Sequence, residues 1–108
     1  MSGKPSRDKG ARGEREVCHV LRDHGYEVER TPNSGGLWLP GDVQGVPGLH
    51  IEVKRQERWV LRDWMRQAES DCVEPNVPLV VFRSSREPWY ACLWFADFLN
   101  IWQGREQC

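Results

Sequence analysis

No stretch of this chain approaches the roughly 20 consecutive apolar residues that a bilayer-spanning helix needs, so no membrane partner is expected. The first segment, MSGKPSRDKGARGERE, is basic but has no apolar core, and so does not read as a secretory signal. The four cysteines, Cys18, Cys72, Cys92 and Cys108, form no CxxC pair. That argues against a zinc site or a disulfide framework and for reduced thiols in a cytoplasm. The three histidines, His19, His24 and His50, lack ligand spacing. There is no serine-hydrolase elbow, no P-loop and no dinucleotide fingerprint, so no nucleotide cofactor is expected. Neither sign of charge dominates: 15 Lys and Arg stand against 16 Asp and Glu, a net charge of −1. Such a balance is not the signature of an avid, nonspecific DNA binder.

What is present reads as a globular domain. Hydrophobic residues make up 39% and charged residues 29% of 108 positions. A chain of this length buries roughly two-thirds of the surface its unfolded form exposes, enough for one modest core. Residues 1–7 read as a basic, flexible arm and 8–108 as a single domain. Lys4, Arg7, Lys9, Arg12 and Arg15 crowd the first stretch against Asp8 and Glu14. That run is either a solvated tail or a local, salt-dependent nucleic-acid contact; a disordered arm that orders on binding satisfies both readings.

Periodicity orders the elements as α-β-β-β-α-β-β-α, a mixed five-stranded sheet flanked by helices. A helix is expected from about Asp8 to His24, with Val17, Val20 and Leu21 forming its apolar stripe, Cys18 beside it and Gly25 as its stop. YEVERT and DVQGV read as strands, and Pro47-Gly48 as the tight turn of an antiparallel hairpin into a third strand, LHIEVKRQ. A helix over about 59–72 carries Val60, Leu61, Trp64, Met65, Ala68 and Cys72 on one side. PLVVFRS is a nearly continuous apolar run, as in a central strand covered on both faces. WYACLWF gives a fifth strand, and Phe95, Phe98, Leu99 and Trp102 a closing helix.

Chemistry concentrates around Asp42 and Glu52-Val53-Lys54. On a strand, Leu49, Ile51 and Val53 point one way and His50, Glu52 and Lys54 the other. An acid and a base thus share a face, next to a second acid that ends a tight turn. Such a set suits holding Mg²⁺ and activating water for phosphodiester cleavage. Glu14 falls on the apolar stripe of the first helix, a costly place for a carboxylate unless a cation or hydrogen bond compensates it; near the helix start it also complements the dipole. Glu16 is off the stripe and reads as surface. Asp42 after Pro-Gly is equally a turn residue, and Glu52 with Lys54 equally a cross-strand ion pair.

The combination of helix Glu14, a Gly-rich loop, Asp42, a hairpin and then Glu52-Val53-Lys54 resembles the PD-(D/E)xK nuclease superfamily. Within it, residues 8–84 most resemble the archaeal-type Holliday junction resolvases and their phage relatives. The shared features are Lys9-Gly10, Glu14-Arg15-Glu16, Arg30, Ser34-Gly35-Gly36, Gly41-Asp42 and Ile51-Glu52-Val53-Lys54. The family usually has Pro directly before the Asp; here Gly41 stands there, with Pro40 one earlier. The stretch from Trp89 to Cys108 has no match to the family.

The resemblance implies a restriction-endonuclease-like core in which Glu14, Asp42, Glu52 and the Val53 carbonyl hold Mg²⁺, with Mn²⁺ as a substitute. Lys54 would orient or deprotonate the water or steady the phosphate, and Ser34 would lie near the scissile bond. Contacts to branched double-stranded DNA would come from Lys4, Arg7, Lys9, Arg12, Arg15, Arg30, Trp38 and Arg55. A homodimer would make paired, symmetric nicks in a four-way junction, in a bacterial or phage-infected cytoplasm. Blander roles stay open for several residues: a plain turn for Ser34, loop burial for Trp38, surface for Gln67, and a satisfied or exposed histidine for His50. The alternatives in function are a nuclease of another substrate class (restriction-like, repair or nicking) and a non-catalytic DNA-binding module on the same fold.

Overall fold

The computed structural model describes the backbone of residues 4–32 and 39–106, and the side chains of 10–32 and 39–105. Its elements are α1 (Lys4–Asp23), β1 (Glu29–Arg30), β2 (Val43–Gln44), β3 (Leu49–Arg55), α2 (Leu61–Asp71), β4 (Val77–Arg83), β5 (Tyr90–Cys92) and α3 (Phe95–Glu106). The order is the expected one. The strands form one mixed sheet, β1-β2-β3-β4-β5. β3 and β4 are parallel, as a crossover through α2 requires, and every other pair is antiparallel. No described helix is long and apolar enough to cross a membrane.

Each sheet face carries one helix, and the period-two alternation of β3 and β4 feeds both. On one face Val17 and Cys18 of α1 pack with Val28, Val43, Ile51 and Val53, with Leu79 and Val81 at the margin. On the other, Trp64, Met65 and Ala68 of α2 pack against Val80 and Phe82, joined by Trp59. Burying each large side chain stabilises the fold by roughly 1.5–3 kcal/mol. Phe82 is the hub of the second cluster: Trp59 meets it edge-on at 4.9 Å and Tyr90 stacks on it at 5.4 Å. Gly13 lets α1 lie close on β3, since a Cβ there would stand 3.0 Å from the Arg55 Cβ.

Several expectations are revised. α1 starts at Lys4, earlier than its apolar stripe suggests, because Pro5 fits a first helical turn, where its missing N–H costs nothing. The buried neighbour of Val17 is Cys18, at 1% exposure, while Val20 is 42% exposed. α1 thus faces the sheet along Val17, Cys18 and Leu21, turned away from Val20. β1 shrinks to two residues because its partner β2 is itself only two long. Glu16 is no plain surface acid: it pairs with Arg83 at 2.8 Å and with Arg55 at 3.5 Å, tying α1 to β4 and β3. The sequence leaves Trp64, Trp94 and Trp102 open between core and dimer packing, and the structure buries only Trp64, leaving Trp94 and Trp102 38% and 45% exposed.

Candidate active site

The site forms where the β2–β3 hairpin opens. Val43 pairs with Ile51, and just before it the chain turns away. Asp42 stands at that divergence, held at three points. Its N–H donates to the Ile51 carbonyl at 2.7 Å, its carbonyl accepts from the Thr31 N–H at 3.0 Å, and its carboxylate Oδ2 accepts from the Val53 N–H at 2.8 Å. The last bond satisfies a backbone donor on β3 that lies past the β2 pairing. Gly41 supplies the turn with φ at 84°, a value that proline, locked near −65°, cannot adopt. The departure from the usual Pro-Asp therefore has a backbone cause.

Glu52 and Lys54 lie in register with Val80 and Phe82 of β4, and so share the sheet face that α2 covers. Glu52 accepts a hydrogen bond from His50 Nε2 at 2.7 Å. Burial pushes its carboxyl pKa up, the negative charge of Asp42 pushes it further, and His50 and Lys54 pull it back. Lys54 makes no ion pair with any described residue. Glu14 reaches the same edge from the α1 face. Its pKa is also raised, by burial first, against the Arg30 hydrogen bond at 3.0 Å, with the Asp42 charge adding to the rise. Asp42 is thus the common neighbour of two carboxylates that approach from opposite faces.

As placed, no three described His, Cys, Asp or Glu side chains stand together closely enough to hold a metal ion. The donor chemistry nevertheless fits a hard divalent cation. The oxygens are carboxylates, and the repulsion that Asp42 exerts on Glu14 and Glu52 is what a dication relieves. Arg30 and His50 occupy the two glutamates meanwhile.

The other expected residues are distributed as follows. Ser34 and Trp38 lie outside the described residues, as do the side chains of Lys4, Arg7 and Lys9. Arg12 and Arg15 are exposed on α1 and line a groove of about 470 Å³ with His19, Arg83 and Trp89. Arg30 is engaged with Glu14, and the Arg55 side chain is only 12% exposed beside Glu16. Gln67 donates to Asp71 on the exposed side of α2. His50, one of the residues with an open reading, is 3% exposed and bonded to Glu52. Their spacing of two on a strand was the signal for that contact. Glu16 carried no such signal, since its partner Arg83 is distant in sequence.

The chain matches, over residues 5–107, a family described as phage putative PDDEXK endonuclease. No curated protein matches it. Among solved structures it is similar to Archaeoglobus fulgidus Hjc, a Holliday junction resolvase from an archaeal hyperthermophile. The TM-score is 0.60 over 78% of this chain and 76% of that one, at 23% identity, a likeness of fold.

Proposed function

The chain belongs to the phage putative PDDEXK endonuclease family, and from that premise we propose that it is a Mg²⁺-dependent, structure-selective DNA endonuclease. Its substrate in this reading is the four-way junction, resolved by paired symmetric nicks. The observation that supports the site assignment is that Asp42 is the shared charged neighbour of Glu14 and of Glu52, with Lys54 on the Glu52 face. The junction comes from the likeness of fold to a Holliday junction resolvase.

In this reading Asp42 and Glu52 hold the cation, Glu14 joins them on release from Arg30, and the Val53 carbonyl adds an oxygen. Bound Mg²⁺, or Mn²⁺ in its place, supplies an activated water and neutralises phosphate charge. Lys54 holds its ammonium against the phosphate oxygens or accepts the proton of the water. In the same reading Ser34 acts at the scissile phosphate, and Lys4, Arg7, Lys9, Arg30, Trp38 and Arg55 contribute DNA contacts. The experiment is cleavage of labelled four-way junction, linear duplex and single strand in Mg²⁺, Ca²⁺ or EDTA. Paired Mg²⁺-dependent nicks on the junction alone are expected. Cutting of every substrate would sink the junction assignment. Binding without cutting in any metal would sink the enzyme.

Arg12 and Arg15 lie on the exposed side of α1 and supply phosphate contacts. Replacing either with Ala is expected to weaken binding and to reduce the slope of log affinity against log salt by about 0.9 per lost contact. An unchanged slope would remove α1 from the interface.

Two symmetric nicks call for two sites, and an isologous dimer supplies them. α3 is the surface suited to it. Phe95, Phe98 and Trp102 stack along one side at 6.5 and 6.1 Å, and Phe95 is 73% exposed. An uncovered helix of this length is marginal in water. An antiparallel pair centred near Ile101 would set Asp97 of one copy against Arg105 of the other. Phe98→Glu with Trp102→Glu is expected to turn a sedimenting dimer into a monomer and uncouple the nicks. A wild-type protein that sediments only as monomer under cutting conditions would refute the dimer.

A further inference from the structure

His50 is a buried imidazole that the mechanism above does not use. Positions 50 and 52 of a strand share a face, and here that face is closed: the His50 side chain is 1% exposed and that of Glu52 14%. Nε2 lies 2.7 Å from Glu52 Oε2. The carboxylate only accepts, so Nε2 carries the proton. Nδ1 is buried with no partner among the described residues. The Gly41 backbone covers that nitrogen: a Cβ built there would sit 3.6 Å from Nδ1 and 3.1 Å from the Ile51 carbonyl oxygen. The imidazole is therefore locked between the turn that carries Asp42 and the carboxylate of Glu52. An orphaned buried nitrogen is a cost that an apolar side chain at this position would avoid, so its bond to Glu52 is the feature that needs an account.

Glu52 has reason to move. Asp42 and Glu52 bring like charges to the same edge, and a free carboxylate would relieve their repulsion by rotating away. Carboxylates that ligate metals are themselves commonly hydrogen-bonded, and losing such a partner typically weakens metal binding 10–100-fold. We propose that His50 is a positioning residue that holds the Glu52 carboxylate beside Asp42, so that a divalent cation meets an oriented ligand. The proposal rests on the reading of this edge as a divalent-cation site.

The test is calorimetric titration of Mn²⁺ into the full chain without DNA, for the wild type, His50→Leu, His50→Asn and His50→Gln. Leu keeps the apolar packing without a donor. Asn keeps a donor but is too short to reach Glu52. Gln is long enough to donate to it. His50→Leu and His50→Asn are expected to raise the Mn²⁺ Kd about 10–100-fold, and His50→Gln to recover most of the loss. In cleavage the Mg²⁺ requirement should rise for Leu and Asn, while the KM for DNA stays at the wild-type value. Should His50→Leu fail to fold, the Asn and Gln pair decides the matter alone. Unchanged or tighter Mn²⁺ binding in the donor-deficient variants, with a wild type that binds Mn²⁺, overturns the role of His50 and leaves the cation site standing. A wild type that binds no Mn²⁺ overturns both.

Discussion

Asp42→Asn is expected to lower DNA cleavage on the order of a thousandfold, since metal-assisted charge stabilisation is worth several kcal/mol and each 1.36 kcal/mol is a factor of ten. The fold should survive. Asn keeps a carbonyl oxygen to accept the Val53 N–H, and the two backbone bonds of residue 42 do not involve its side chain. Binding to junction DNA in Ca²⁺-free buffer should hold or tighten, because one negative charge leaves the phosphate-facing edge. Stability gives an independent readout. The raised pKa values of Glu52 and Glu14 come first from burial and then in part from Asp42. A carboxyl whose folded pKa is raised binds its proton more tightly folded than unfolded. It therefore costs stability once pH climbs above the unfolded value, and most above the folded value. Removing Asp42 removes part of that cost, so Asp42→Asn should melt higher than the wild type at pH 7 in EDTA and nearly level with it well below pH 4. Full cleavage by Asp42→Asn, measured as single-turnover rate in saturating Mg²⁺, would refute the site.

The parts of this molecule that were legible in the sequence are those whose burial is decided locally. The alternation of Leu49–Arg55 identified β3, and with it the shared face of Glu52 and Lys54, because period two leaves no other arrangement. The apolar stripe of α2 likewise named Trp64, Met65 and Ala68. The Pro47-Gly48 turn implied the antiparallel hairpin that places Asp42 beside β3. What stayed hidden depended on partners remote in sequence. Glu16 read as surface because nothing nearby announces its partners Arg83 and Arg55. α3 was legible as a helix, but not how far each of its apolar residues stands exposed. Periodicity says which apolar residues lie together, not what covers them. The buried state of His50 was open for the same reason: strand phase put it with Glu52, but its closure from water depends on chain outside the strand, the turn at Gly41 included.

In the proposed reading, Lys54 separates catalysis from metal binding more cleanly than any carboxylate here. It lies in register with Phe82 on the α2 face, makes no ion pair with a described residue, and lowers the Glu52 pKa by its charge alone, after the larger effects of burial, Asp42 and His50. Lys54→Met preserves length and apolar stem and deletes only the ammonium. Losing one positioned charge or proton acceptor costs about 10²–10⁴ in rate, so cleavage should fall by that range while Mn²⁺ affinity changes little and junction binding stays within a few-fold. Lys54→Arg then distinguishes the two roles. Arg is always protonated, so it can steady phosphate oxygens but cannot take a proton from water. Substantial recovery in Lys54→Arg means the residue acts by charge. Failure to recover, in a protein that still binds Mn²⁺ and junction, means that it acts on the water. If Lys54→Met cuts at the wild-type rate, the lysine belongs to the sheet surface and the catalytic group must be sought elsewhere at this edge.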